Sequence, residues 1–239
     1  MKKIIFAIAC SLILTVAAAQ NKIVKDPNAQ VRSVKGFHAI KVSNGIHLYL
    51  TQGNEEAVAV SAKATEYRNR IRTEVYNGVL KIYYDNDDWK FWSDNNRKNL
   101  KAYVSCKTLD ALNASSGSRV EVDGTIKSGN LDMDFSSGAI FNGSINVSAL
   151  NLDQGSGAQA TISGTAASFK VEASSGSSLN GFDLETNQCN ARVSSGGSVD
   201  ITVRKELIAS AHSGGQITYK GGGVIREVNT GSGGEVSKR

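Results

Sequence analysis

Three acidic residues recur at one interval along the chain: Asp134, Asp153 and Glu172, each nineteen positions from the next. Carboxyl groups held about 5–5.5 Å apart are the equipment of a retaining glycosidase, one acting as nucleophile and the other as acid. The acid must have its pKa lifted by burial or by its neighbour. Asn113 precedes the series and Arg192 follows it, while Asp132 shares a face with Asp134 if the segment is extended. Lys170 and Arg192 offset part of the repulsion, and no long insertion interrupts the interval to frame a cleft. The plainer reading is a solvated polar face, and the chain is expected not to be an enzyme.

A second chemical cluster lies between Asp85 and Arg97, with Tyr84 adjoining it. Tyr84, Asp87, Asp88, Trp89, Phe91 and Trp92 combine aromatic rings with carboxylates, and both tryptophans of the chain are here. Rings that cover the apolar side of a sugar beside acids that bind its hydroxyls make this the candidate ligand loop. The alternative is a cap closing one end of the fold. The acidic run lacks the glycine and glutamate positions of a calcium loop. His38, His47 and His212 form no zinc doublet, and Gly221-Gly222-Gly223 lacks the Lys-Ser/Thr of a phosphate loop. Neither a metal nor a cofactor is expected.

The elements that would position these groups are visible as a repeat. Ser-Gly recurs at Ser116, Ser137, Ser156, Ser175, Ser195, Ser213 and Ser232, at spacings of 21, 19, 19, 20, 18 and 19. Four residues before each Ser stand Leu112, Met133, Leu152, Val171, Ala191, Ala209 and Val228; four after it stand Val120, Phe141, Ala160, Leu179, Val199, Ile217 and Val236. Apolar and polar residues alternate between these columns, the period of a strand with one buried face. A fixed period of about twenty residues marks a solenoid, here an all-β parallel β-helix of 19–21 residues per coil, with right-handed coiling the expectation for parallel crossovers. An antiparallel sandwich has no reason to keep seven apolar columns in register. The composition fits: 24 Gly and one Pro in 239 residues give corners their positive φ and leave a hydrogen-bond ladder uninterrupted.

Residues 37–108 are less regular and read as a β cap region ahead of the regular repeats of 109–239. Strands are expected at Ala57–Ser61, Ile71–Tyr76, Val79–Tyr84 and Leu100–Val104, with a helical turn at Ala64–Arg70 and a tight hairpin at Asn77-Gly78. The register places Cys106 and Cys189 four coils apart, beyond the reach of a disulfide, so both are expected as free buried thiols.

Lys2 and Lys3, the apolar run Ile4–Val16 and Ala17-Ala18-Ala19 have the form of a signal peptide, 1–19, followed by a tail, 20–36. The run is too short for a membrane span. The expected destination is the periplasm, the outer-membrane surface or the medium. Removing Lys2 and Lys3 leaves 25 basic and 22 acidic residues, an excess too small to argue for nucleic acid.

Ser43-Asn44-Gly45-Ile46-His47-Leu48, the turn Asn77-Gly78-Val79-Leu80 and the Ser-Gly repeats together resemble the bacterial secreted proteins called putative auto-transporter adhesins with a head GIN domain. The name-giving Gly-Ile-Asn stands here as Gly45-Ile46-His47, preceded by Asn44. The resemblance runs from Phe37 to the C-terminus and implies a single β-helical domain, 37–239, export to the envelope and self-association. It brings no catalytic residues. The expected function is an adhesin that binds surface glycan or an extracellular protein through polar faces and the aromatic loop. A polysaccharide lyase or glycosidase using the carboxylate ladder, and a structural component that forms homo-oligomers, are the alternatives.

Overall fold

A computed structural model of the protein describes residues 26–85 and 98–239. The candidate signal peptide and the Asp87, Asp88, Trp89, Phe91 and Trp92 cluster lie outside the described residues. The chain forms β1 (Gln30–Arg32), β2 (Ala39–Val42), β3 (His47–Gln52), β4 (Ala57–Ser61), α1 (Thr65–Asn69), β5 (Ile71–Tyr76), β6 (Val79–Tyr84), β7 (Lys101–Cys106) and β8 (Ala111–Ala114). It continues as β9 (Arg119–Phe135), β10 (Ile140–Gln154), β11 (Gln159–Ala173), β12 (Ser178–Val193), β13 (Ser198–His212), β14 (Gln216–Lys220), β15 (Val224–Gly231) and β16 (Glu235–Lys238). From β8 onward every pairing is parallel, and the architecture is the expected β-solenoid.

The corners differ from expectation in one respect. Glycine alone was to supply positive φ, but Ser and Gly both take it, Ser at φ 50–53° and Gly at 70–77°. Two successive left-handed residues build the tight turn that Asn-Gly builds in hairpins. Each corner is closed by a three-residue backbone bond, such as Ser118 N–H to Ser115 O at 3.1 Å. Corners also bond to one another: Gly117 N–H donates to Ser137 O, Gly138 to Ser156, and Gly157 to Ser175, at 2.9–3.0 Å. The left-handed cost at Ser is thus met by a ladder running along the edge of the solenoid.

Between corners the chain is a single long bent strand. β10, β11 and β13 each run for 15 residues, and register slips mark their bends, as between Thr161 and Gly164. Gly164 takes φ 108°, and a Cβ there would overlap the carbonyl oxygen of Ile145 in the coil below.

The inward columns are those of the repeat. Leu112, Met133, Leu152, Val171, Ala191 and Ala209 are buried, as are Val120, Phe141, Ala160, Leu179, Val199 and Ile217. Phe135 and Phe141 stack in this core with ring centroids 5.2 Å apart. In the last coil the first of these columns emerges into solvent, Val228 being 45% exposed, while Val236 of the second stays partly buried against the core.

The cap region is threaded out of order. β2, the turn Asn44-Gly45 and β3 form a coil whose corner bonds into the ladder, Gly45 N–H to Ser116 O at 2.9 Å. On its far side β2 pairs β6 and β3 pairs β7, both parallel, so strands later in sequence lie beneath it. Antiparallel strands then close that end: β5 on β6, and β4 on β7 with β1 outside it. Tyr67 of α1 is buried there. The hairpin at Asn77-Gly78 and the helical turn follow the sequence expectation; the strand expected at Leu100–Val104 is displaced to Lys101–Cys106. Cys106 and Cys189 are free and buried. The order β7–β3–β9–β10–β11–β12 sets them five strand steps apart rather than four coils.

Candidate functional site

The expected carboxylate ladder exists in register. Asn113 pairs Asp134, Asp134 pairs Asp153, Asp153 pairs Glu172, and Glu172 pairs Arg192. The reason is the repeat itself: each residue lies three positions before its corner, on the outward phase of a strand whose next residue is buried. The spacing between neighbouring strands is about 4.8 Å. A parallel column runs beside it through Asp132, Asn151, Lys170 and Asn190.

The two columns interlock. Asn151 Nδ2 donates to Asp132 Oδ1 at 2.7 Å. Lys170 Nζ lies 2.9 Å and Arg192 Nη1 3.5 Å from Glu172 Oε1. Lys170, its bond strongest, and Arg192 together hold Glu172 below the ordinary glutamate range. Asp153 moves the other way: burial first, then the charges of Asp134 and Glu172, raise its pKa, with Lys170 opposing. Asp132, Met133, Asn151, Leu152, Asp153, Lys170 and Glu172 line an open depression of about 260 Å³. Among the described residues no cluster of three His, Cys, Asp or Glu side chains is arranged to hold a metal.

The strip therefore offers carboxylates, amides and cations on a nearly flat surface. Such a surface suits hydroxyl-rich ligands that lie across several coils, each contact weak and the sum useful. Along the adjoining edge stand the exposed hydroxyls of the seven corner serines.

The remaining candidates fall in different places. Tyr84 points inward, 4% exposed, with Lys98 Nζ 4.5 Å over its ring, so it packs in the cap rather than opening to a ligand. Asn44 and Gly45 form the first corner, Ile46 is fully buried and His47 faces outward. The motif is thus the solenoid's first turn. His47 stacks on Tyr49 at 4.2 Å, and its Nε2 lies 3.1 Å from Glu121. Burial, with Arg119 and Lys101 assisting, lowers the His47 pKa against the pull of Glu121.

Sequence reasoning missed the continuation of that stack. Tyr49 and Tyr103 lie ring on ring at 5.1 Å, and Tyr103 Oη donates to Asp26 at 2.9 Å. Burial and that carboxylate raise the Tyr103 pKa. Tyr103 belongs to β7, outside the Ser-Gly period, so no repeat arithmetic joins it to Tyr49. Only the alternation within each strand marks both as outward.

The sequence pattern of the family described as putative auto-transporter adhesin, head GIN domain, matches residues 36–223. Among solved structures the fold is shared with a putative adhesin from Bacteroides fragilis, at 19% identity and a TM-score of 0.76, over 88% of this chain and 96% of that one. A putative adhesin from Parabacteroides distasonis aligns at 19% identity and 0.70, over 88% and 96%. A putative lipid binding protein from the same species aligns at 18% and 0.67, over 90% and 98%. These identities speak for the fold alone. No curated protein matches the sequence.

Proposed function

The chain belongs to the putative auto-transporter adhesin, head GIN domain family, and from that premise we propose that it is a non-enzymatic binding protein of the cell envelope or surface that engages an extended glycan. The family supports an adhesin role in general. Among the described residues no helix is long and apolar enough to cross a membrane.

The observation that carries the glycan reading is the outward strip from Asn113 to Arg192, in register through five coils and flanked by Asn151 and Lys170. A polymer laid along the solenoid axis meets an outward polar side chain at each step, whether amide, carboxylate or cation. Retardation in gels carrying soluble polysaccharide tests this. Long chains should retard the protein, their monosaccharides should not, and Asn151→Ala with Lys170→Ala should lose the effect. Equal mobility in every polysaccharide tried would defeat the reading, and retardation by extracellular proteins instead would point to a protein partner.

A second reading has one observation in its favour. The raised pKa of Asp153 beside the ionised Glu172 is the asymmetry that acid catalysis needs. Against it, Glu172 is occupied by two cations and the depression is open. Release of reducing ends from polysaccharide, abolished by Asp153→Asn, would establish an enzyme in place of an adhesin.

A further inference from the structure

The two ends of the solenoid are built differently. At the cap end antiparallel strands and α1 cover the core, and the outermost strands are the three-residue β1 and the charge-bearing β5. At the other end β15 pairs only β13 and β16 pairs only β14, so each leaves one edge of backbone groups unpaired. Of the six exposed large apolar side chains among the described residues, three are here, Val224 at 60%, Ile225 at 43% and Val228, and a fourth, Ile208, lies one coil in on the lateral face. Ile225 and Val228 pair with the buried Leu207 and Ala209, so they are core columns cut open.

We propose that this end is closed by the same end of a second copy of the chain, tail to tail about a two-fold axis, with β15 pairing antiparallel to its counterpart. Three observations select that occupant. An edge of unpaired strand is satisfied by another strand, and an exposed apolar row beside it needs cover. The terminal coil is about twenty residues, the number a standard interface takes from each partner. The end face carries both signs, Lys238 with Glu227 and Glu235, while Arg226 is held by Glu206 of its own chain, so this end does not repel its copy as an end of one sign would. Head-to-tail stacking is disfavoured because the covered cap end offers no open core to receive Ile225 and Val228. The assembly therefore stops at two. The proposal does not depend on the glycan reading.

Light scattering across a concentration series, combined with hydrogen exchange, decides it. The expected result is a dimer in which the amides of Val224–Gly231 are slowed at high concentration while those of β1 are unchanged. Ile225→Lys with Val228→Lys should raise the dissociation constant by at least about a hundredfold, whereas Val31→Lys at the opposite end should leave it unchanged. Lys238→Glu, which keeps the apolar cover and the Arg226–Glu206 pair and leaves Glu227 and Glu235 facing their copies, should weaken the dimer at low salt and restore it at high salt. A monomer at every concentration overturns the proposal, whether its β15 amides exchange freely or are protected by the chain itself. So does a ladder of higher oligomers, the sign of open head-to-tail stacking.

Discussion

Gly45 donates its backbone N–H to the carbonyl of Ser116 at 2.9 Å, so the first corner of the chain rests on the first Ser-Gly corner as the later corners rest on one another. Asn-Gly and Ser-Gly are therefore interchangeable solutions to one backbone problem. Serine is the less suited of the two to φ near 50°, since asparagine is enriched in that region. Ser156→Asn should leave stability unchanged or raise it by a few tenths of a kcal/mol, whereas Ser156→Val should lower it by about 1–2 kcal/mol. Denaturant midpoints of the two variants check this, and equal loss in both would refute the shared geometry.

Glycines of the same sign of φ should differ sharply in cost. Gly157 has open space where a Cβ would sit, while Gly164 presses on the Ile145 carbonyl. Gly157→Ala should cost about 1 kcal/mol of backbone strain. Gly164→Ala adds a steric clash with the neighbouring coil and should cost at least about 2 kcal/mol more. Thermal unfolding of both, side by side, gives the comparison.

Gln154 occupies an inward column between Phe135 and Ala173, fully buried, with Oε1 unpartnered and Nε2 only 3.4 Å from the Ser178 carbonyl. An unsatisfied buried oxygen costs about 1–3 kcal/mol. Gln154→Leu should therefore stabilise the protein by about 1–2 kcal/mol, and Gln154→Ala, which leaves a void, should not. A lower urea midpoint for the leucine variant would show that the amide is serving some other end.

The carboxylate strip predicts opposite pH behaviour at neighbouring residues. Asp153 has a raised pKa, so the folded state holds its proton more tightly than the unfolded chain, and stability falls as pH rises from about 4 through the raised value. Asp153→Asn removes that loss. It should be the more stable form near pH 7, by less than about 1 kcal/mol for so exposed a group, with the advantage fading as pH falls below 4. Glu172 has a lowered pKa, so its contribution is present above the ordinary glutamate value of 4.5 and is lost as pH falls through the lowered one. Glu172→Gln should be less stable than the parent near pH 7, and stability profiles from pH 3 to 8 test both signs.

Burial pushes the thiol of Cys106 up to about 11 and that of Cys189 to about 12. Thiol reagents at pH 8 should label neither in the native protein and both after unfolding, because the thiolate is the reactive form. Rapid native labelling of Cys189 would place it outside the core.

The regular half of the molecule was legible because each coil repeats one local problem. A Ser-Gly corner fixes the phase, and the residues three and four positions before it must then face out and in. That phase carried Asp134, Asp153 and Glu172 to their observed column. The cap was not legible in the same way. Asn44-Gly45 and Asn77-Gly78 are the same dipeptide with the same backbone sign, yet one turns a coil and the other a hairpin. The difference is tertiary: β3 finds parallel partners in β7 and β9, whereas β6 folds back on β5. Tyr49 and Tyr103 meet for the same reason, through a pairing that no period announces.

The coil of β2 and β3, enclosed by β6 and β7 on one side and by β8 and β9 on the other, also has a bearing on how the protein comes into being. A chain that emerges amino end first cannot lay its turns down like rope. The earliest turn meets β6 and β7 first and is enclosed only when the stretch to Asp123 has followed and both its neighbours exist. Only from there can growth proceed as a zipper, each arriving turn settling on a finished rim. Fragments that stop short of Asp123 should stay unfolded, whereas those cut at later corners should fold as shorter versions of the whole.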